Sequence, residues 1–162
     1  MNVSPEAWTE LARRFGLGAV RDAPAFVGRG SMGEIWRLQT SRGPWAVKRQ
    51  FPWVPVQPCP ADVQVQQAAA AGGIPLPLPV LTPTGEAVAR VGDRHARVYV
   101  WTDLARPVEP PADDRTAAEA GRLLGVLHRL ALPSAEPDDP WYTQVPSARF
   151  LDLAEDLLRA HR

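Results

Sequence analysis

Apolar side chains recur along this chain at two different periods, and the switches between them set out its elements. Trp8, Leu11, Ala12 and Phe15 fall at helical spacing, with Ser4 as a cap, Pro5 in the first helical position, and Gly16 and Gly18 to end the helix. A β-like stretch at Ala25-Phe26-Val27 leads into a glycine-rich turn. Strand formers then predict two strands, Glu34 to Thr40 and Trp45 to Phe51, with Ser41-Arg42-Gly43-Pro44 as the hairpin turn between them. A short helix is expected from Ala61 to Ala71, stopped by Gly72-Gly73, and two more strands at Glu86 to Val91 and His95 to Thr102, joined at Gly92-Asp93. Beyond them the period is helical again. Ala120, Leu123, Leu124, Leu127 and Ala131 share one face behind a cap at Asp113 or Asp114, and Ser147 caps a last helix carrying Phe150, Ala154, Leu157 and Leu158. Five strands with one helix among them, followed by helices only, define an α+β fold.

Composition narrows the function classes. Lys plus Arg (18) equals Asp plus Glu (18), so no net field draws nucleic acid or anionic lipid. Cys59 is the only cysteine, which rules out a disulfide or a cysteine-built zinc site within the chain. No apolar run approaches the roughly 20 residues that span a bilayer. The first residues lack the basic and apolar stretches of a secretory signal, so the cytoplasm is the expected compartment. Prolines cluster in 52–60, 75–83 and 107–111, as stiff connectors between elements.

The chemistry is carried by two motifs. Gly28-Arg29-Gly30-Ser31-Met32-Gly33 fits G-x-G-x-x-G, which occurs both in dinucleotide-binding folds and in kinases. The dinucleotide fold needs a helix directly after the third glycine. Here Glu34–Thr40 is rich in strand formers and meets Gly43-Pro44 too soon for a helix, so the loop joins two antiparallel strands. Glycines at such a tip let backbone N–H groups approach phosphate oxygens that any Cβ would obstruct. The second motif, Trp45-Ala46-Val47-Lys48, matches the V-A-I-K type of strand. Alternation puts Ala46 and Lys48 on one face, leaving room for a flat base beside a cation; Ile35 stands in the place of the valine of the kinase glycine loop, a likeness which implies that it covers the base from the other side.

Three further segments extend the pattern: Ala68-Ala69-Ala70-Ala71-Gly72-Gly73-Ile74-Pro75-Leu76-Pro77, Arg97-Val98-Tyr99-Val100-Trp101-Thr102-Asp103, and Gly121-Arg122-Leu123-Leu124-Gly125-Val126-Leu127-His128. With the glycine loop and the lysine, they resemble the aminoglycoside phosphotransferase and choline kinase-like family over most of residues 20–130. The resemblance implies a protein-kinase-like N-lobe, a five-stranded antiparallel sheet with one αC-type helix, over 21–103. A helix at 1–20 would precede it, and a hinge at 104–112 and an incomplete helical C-lobe at 113–162 would follow. It further implies ATP as the nucleotide, with Gly28, Gly30, Ser31 and Gly33 over the triphosphate and Lys48 in contact with it. Ile35 and Ala46 would flank the base, and backbone groups of Trp101, Thr102 and Asp103 would pair with the adenine edge. The family's lysine is held by a helix glutamate; the matching position here is Gln67, with Gln64 one turn earlier. Gln accepts a hydrogen bond but supplies no opposite charge.

The family's catalytic aspartate and magnesium-binding carboxylates are expected in none of these residues; His128-Arg129-Leu130 has leucine where H-R-D needs aspartate. Transfer to a small-molecule hydroxyl, with Mg2+, is therefore expected of a longer, complete enzyme and not of this chain alone, which reads as a fragment or truncated relative. Two other readings stand beside it: a nucleotide-sensing, pseudokinase-like module, and a structural lobe that docks a partner. Trp45, Trp53 and Trp101 are expected to pack on the sheet, His95, His128 and His161 to be bystanders, and Asp138-Asp139 to form a solvated turn.

Overall fold

The computed structural model describes residues 3–56, 59–103 and 110–132, together with Arg159. The expected helix from Ser147, the Asp138-Asp139 turn, His161 and residues 104–109 of the expected hinge lie outside the described residues. The chain divides into a compact unit, Met1–Ala131, and a second one, Leu132–Arg162, so the hinge expected at 104–112 falls within the first.

The first element, α1 (Pro5–Arg14), begins on the Ser4 cap and ends as the glycines dictate. Gly16 takes a positive φ of 65°, which turns the chain so that the Leu17 N–H reaches the Ala12 carbonyl at 2.8 Å and the Gly16 N–H that of Arg13 at 3.1 Å. Three antiparallel strands follow: β1 (Ala25–Arg29), β2 (Gly33–Thr40) and β3 (Gly43–Gln50). The β2–β3 turn is tighter than expected, because Gly43 and Pro44 join the ladder opposite Thr40 and Gln39. Next, α2 (Cys59–Ala71) ends in the same manner as α1, with Gly73 at φ 86° and the Ile74 N–H on the Ala69 carbonyl.

The sheet gains one strand over the expected five. β4 (Pro79–Val80) pairs with β6 (Arg94–Val100) at the sheet edge, and β5 (Ala89–Val91) also pairs with β6. The order is β1-β2-β3-β6-β4. A proline at an outer position needs no ladder donor, so the edge tolerates Pro79. β5 is shorter than expected, because the Glu86 N–H turns back to the Thr82 hydroxyl instead of joining the ladder.

Register separates the two faces of the sheet. Val47 opposes Trp36 and Val98, and these residues join Leu38, Val91, Ala96, the α1 residues Trp8 and Leu11, and its C-cap Phe15 in one buried cluster with its partly buried neighbours. Lys48 opposes Ile35 and Arg97, and Ala46 opposes Arg37 and Tyr99, all on the other face. That face carries the site.

The last described helix, α3 (Asp114–Arg129), starts on Asp113, whose carboxylate accepts the Thr116 N–H at 2.7 Å. Ala131, expected on its apolar face, lies past its end in a left-handed conformation at φ 46°. Val126, off the expected stripe, is instead its buried residue. His128 is an exposed residue of the last turn.

Candidate functional site

The glycine motif is split between elements. Gly28 and Arg29 belong to β1, Gly33 opens β2, and only Gly30-Ser31-Met32 forms the hairpin tip, closed by the Gly30 N–H on the Gly33 carbonyl at 2.9 Å. Residues 33–40 are a strand, which excludes the helix that a dinucleotide fold requires there. The glycines differ in why they are small. A Cβ on Gly33 would stand 2.6 Å from the Arg49 carbonyl oxygen, so β2 and β3 can approach only if that residue is glycine. A Cβ on Gly28 or Gly30 would meet nothing within 4 Å, and neither has a positive φ. Nothing in the chain's own packing demands glycine at those two positions.

Below the hairpin, on the face opposite α1, Ile35, Ala46, Lys48, Trp101 and Thr102 line one cleft of about 340 Å3. Val27, Gln66, Leu76, Pro77, Tyr99 and Val100 complete it. Of the residues singled out from sequence, this brings together the two apolar flanks, the lysine and the start of the post-strand segment. Gly28, Gly30, Ser31 and Gly33 do not line the cleft; they stand at the hairpin above it. Asp103 does not line it either, but accepts the Trp101 indole N–H at 2.8 Å, while the Arg37 guanidinium lies 4.9 Å from the Trp101 ring centroid. These two contacts hold Trp101 at the rim.

Gln67, expected beside Lys48, lines a separate groove together with Gln64 and Val63. The α2 residue that shares the cleft with Lys48 is Gln66. Each helical residue turns about 100° from the last, so one step along α2 changes the face entirely. Tyr99 could have been read from sequence, since alternation from Arg97 puts it on the cleft side. Val27, Leu76 and Pro77 carry no such signal.

Around the base of the hairpin, on the other side of β3, buried Arg49 bridges Glu34 at 3.5 Å and Asp93 at 2.5 Å, and Arg94 reaches the same Glu34 at 3.4 Å. Burial acts to raise the Asp93 pKa, but its own backbone hydrogen bond and Arg49 outweigh this and hold it below the usual carboxylate value. The network ties the root of the tip to the β5–β6 turn. Trp45 packs as expected and donates to Thr40 at 3.0 Å, whereas Trp53 is 68% exposed and stacks on Phe51 at 4.7 Å between centroids. The prolines at 52 and 55 carry that segment off the sheet, which is why Trp53 is not covered. Among the described residues no group of three His, Cys, Asp or Glu stands close enough together to hold a metal ion, and no helix is long and apolar enough to cross a membrane.

A glycine hairpin over a lysine-bearing sheet, with one helix packed on the lysine's face, is the nucleotide-lobe fold of kinase-like phosphotransferases. The model of the phosphotransferase enzyme family (APH) matches residues 26–162, most of the chain, and the chain belongs to that family. Among solved structures it resembles spectinomycin phosphotransferase APH(9)-Ia in complex with ADP and spectinomycin, with TM-score 0.62, 11% identity, and 91% of this chain and 50% of that one covered. It also resembles an aminoglycoside phosphotransferase from Alicyclobacillus acidocaldarius subsp. acidocaldarius DSM 446, with TM-score 0.62, 21% identity, and coverage of 100% and 45%. At these identities the likeness is one of fold. The chain spans about half the length of these solved relatives. No curated protein matches it.

Proposed function

We propose that this chain is the ATP-binding part of a small-molecule phosphotransferase. The observation that carries the reading is the cleft itself: apolar walls from Val27, Ile35 and Ala46, one ammonium from Lys48, and a rim at Trp101-Thr102. Its volume, about 340 Å3, lies within the roughly 300–1,000 Å3 common for small-ligand sites. In this reading the base lies between Ile35 and Ala46, with its edge toward the backbone of Trp101, Thr102 and Asp103. The phosphates extend under the hairpin of Gly28, Gly30, Ser31 and Gly33, toward Lys48. The ADP in the spectinomycin phosphotransferase structure supports a nucleotide in this fold, and the spectinomycin there supports a small hydroxyl-bearing acceptor for the whole enzyme.

The described residues offer no group of three His, Cys, Asp or Glu that could hold Mg2+. Positioning a nucleotide without neutralising the transferred group or orienting a nucleophile does not transfer phosphate. We therefore expect binding without turnover from this chain, and Mg2+ use only in the complete enzyme. The cytoplasm, where ATP is held, is the proposed compartment. Calorimetric titration with ATP, with and without magnesium, tests the reading. Saturable binding that weakens about tenfold or more in Lys48→Ala, the loss of a charge-assisted contact, is the expected result. No detectable binding to the unaltered chain would leave it a structural lobe, and steady turnover would refute the division of labour.

A further inference from the structure

Lys48 and Arg97 oppose each other directly across the β3–β6 ladder, so both side chains leave the sheet on the face that α2 covers. Two cations so placed repel unless a negative group is brought to them. α2 carries one acidic residue, Asp62, and it goes to Arg97. The Arg97 guanidinium donates through Nη1 to Asp62 Oδ2 at 3.0 Å and through Nη2 to Gln66 Oε1 at 3.1 Å. Asp62 and Gln66 are one turn apart on the same helix face, so a single planar fork bridges successive turns of α2. Arg97 is 5% exposed, which makes this a desolvated anchor, while Asp62 stays half-exposed. The Lys48 side chain, by contrast, has no ion pair or hydrogen bond among the described residues, although Gln66 borders the same cleft.

We propose that Arg97 is the positioning residue that clamps α2 to the sheet, and that Lys48 is thereby left to serve the cleft alone. Docking of the helix and capture of an anion are assigned to two neighbouring cations, so neither depends on the other. The statement about Lys48 rests on the nucleotide reading; the statement about Arg97 does not.

Hydrogen exchange of the α2 amides, residues 63–71, in the 162-residue chain, read beside ATP titration, tests both parts. Asp62→Asn and Arg97→Lys should each speed α2 exchange about tenfold, as expected for losing a hydrogen bond to a charged group. The double variant should exchange about as fast as either single one, because both remove the same link. Arg97→Lys keeps the charge, whereas Asp62→Asn takes the counter-charge from a buried guanidinium but leaves it the Gln66 oxygen and an amide oxygen as acceptors, so the second variant carries a charge-burial cost that the first does not. Lys48→Met should leave α2 exchange within about twofold while weakening ATP about tenfold or more, and Asp62→Asn should do the reverse. The proposal is overturned if Lys48→Met loosens α2 as much as Asp62→Asn does, if Asp62→Asn leaves α2 exchange unchanged, or if Asp62→Asn weakens ATP as Lys48→Met does. Should the unaltered chain bind no ATP, the nucleotide reading falls, and the exchange measurements decide the clamp by themselves.

Discussion

Gly28 and Gly33 sit five residues apart in one motif, yet sterics give them different work. The missing Cβ of Gly33 is filled by the Arg49 carbonyl oxygen, which would lie 2.6 Å away from it. Gly33→Ala must push β2 from β3 at the root of the hairpin, and it is expected to cost about 2 kcal/mol in urea unfolding, in the range of overpacked sites. Gly28→Ala meets open space and should stay within about 0.5 kcal/mol of the unaltered chain, while lowering ATP affinity. Equal destabilisation by both substitutions would remove the distinction. The lysine and glycine positions were legible in the sequence because alternation and turn chemistry are local. Gln66 was not, because which of three neighbouring glutamines meets the cleft depends on how α2 is rotated on the sheet, and that is not a local property of the sequence.

Among the elements, caps were read with more success than lengths. Ser4, Gly16, Gly72-Gly73 and Asp113 all act at helix ends, as their local chemistry predicts. The edge strand Pro79–Val80 has no local signal in the sequence, because Leu76-Pro77-Leu78-Pro79 reads as a connector and only pairing with β6 makes part of it a strand. Nothing in the sequence at Ala131 signals a stop, yet α3 ends at Arg129 without a glycine, and Ala131 takes the left-handed conformation at φ 46°. The α3 cap also makes a pH prediction. Hydrogen bonds from the Thr116 hydroxyl and its backbone N–H hold the Asp113 carboxyl below its ordinary value. A carboxyl depressed in the folded state contributes stability above its unfolded pKa of about 3.9 and loses it as pH falls through the folded value. Asp113→Asn keeps a cap without a titrating charge. The gap in urea midpoint between the unaltered chain and Asp113→Asn should therefore be constant near neutrality and shift against the unaltered chain below about pH 4. A gap that does not change with pH would show that the cap charge contributes nothing.

Across the whole molecule, the sheet keeps its two faces for separate purposes. One face is closed by α1 and its C-cap, through Trp8, Leu11 and Phe15 against Leu38, Val47, Val91 and Val98. The other holds Lys48, Arg97 and the cleft. The amphipathic stripe of α1 is evident in the sequence, but the surface it covers is not, because that surface is assembled from strands distant along the chain. With Trp8 only 3% exposed and its ring 5.7 Å from that of Trp36, α1 belongs to the core. Trp8→Ala should therefore cost about 3–5 kcal/mol, the usual loss for a buried aromatic. Binding answers to the opposite face. At a temperature where the variant is still folded, its ATP affinity should equal that of the unaltered chain, because the core cluster that holds Trp8 and the lining of the cleft share no residue. Lys48→Ala should show the converse, near-normal stability with affinity lost. If Trp8→Ala weakened ATP in proportion to its loss of stability, the two faces would be coupled through the strands, and the cleft could not be the rigid, preformed site that its register across β2, β3 and β6 implies.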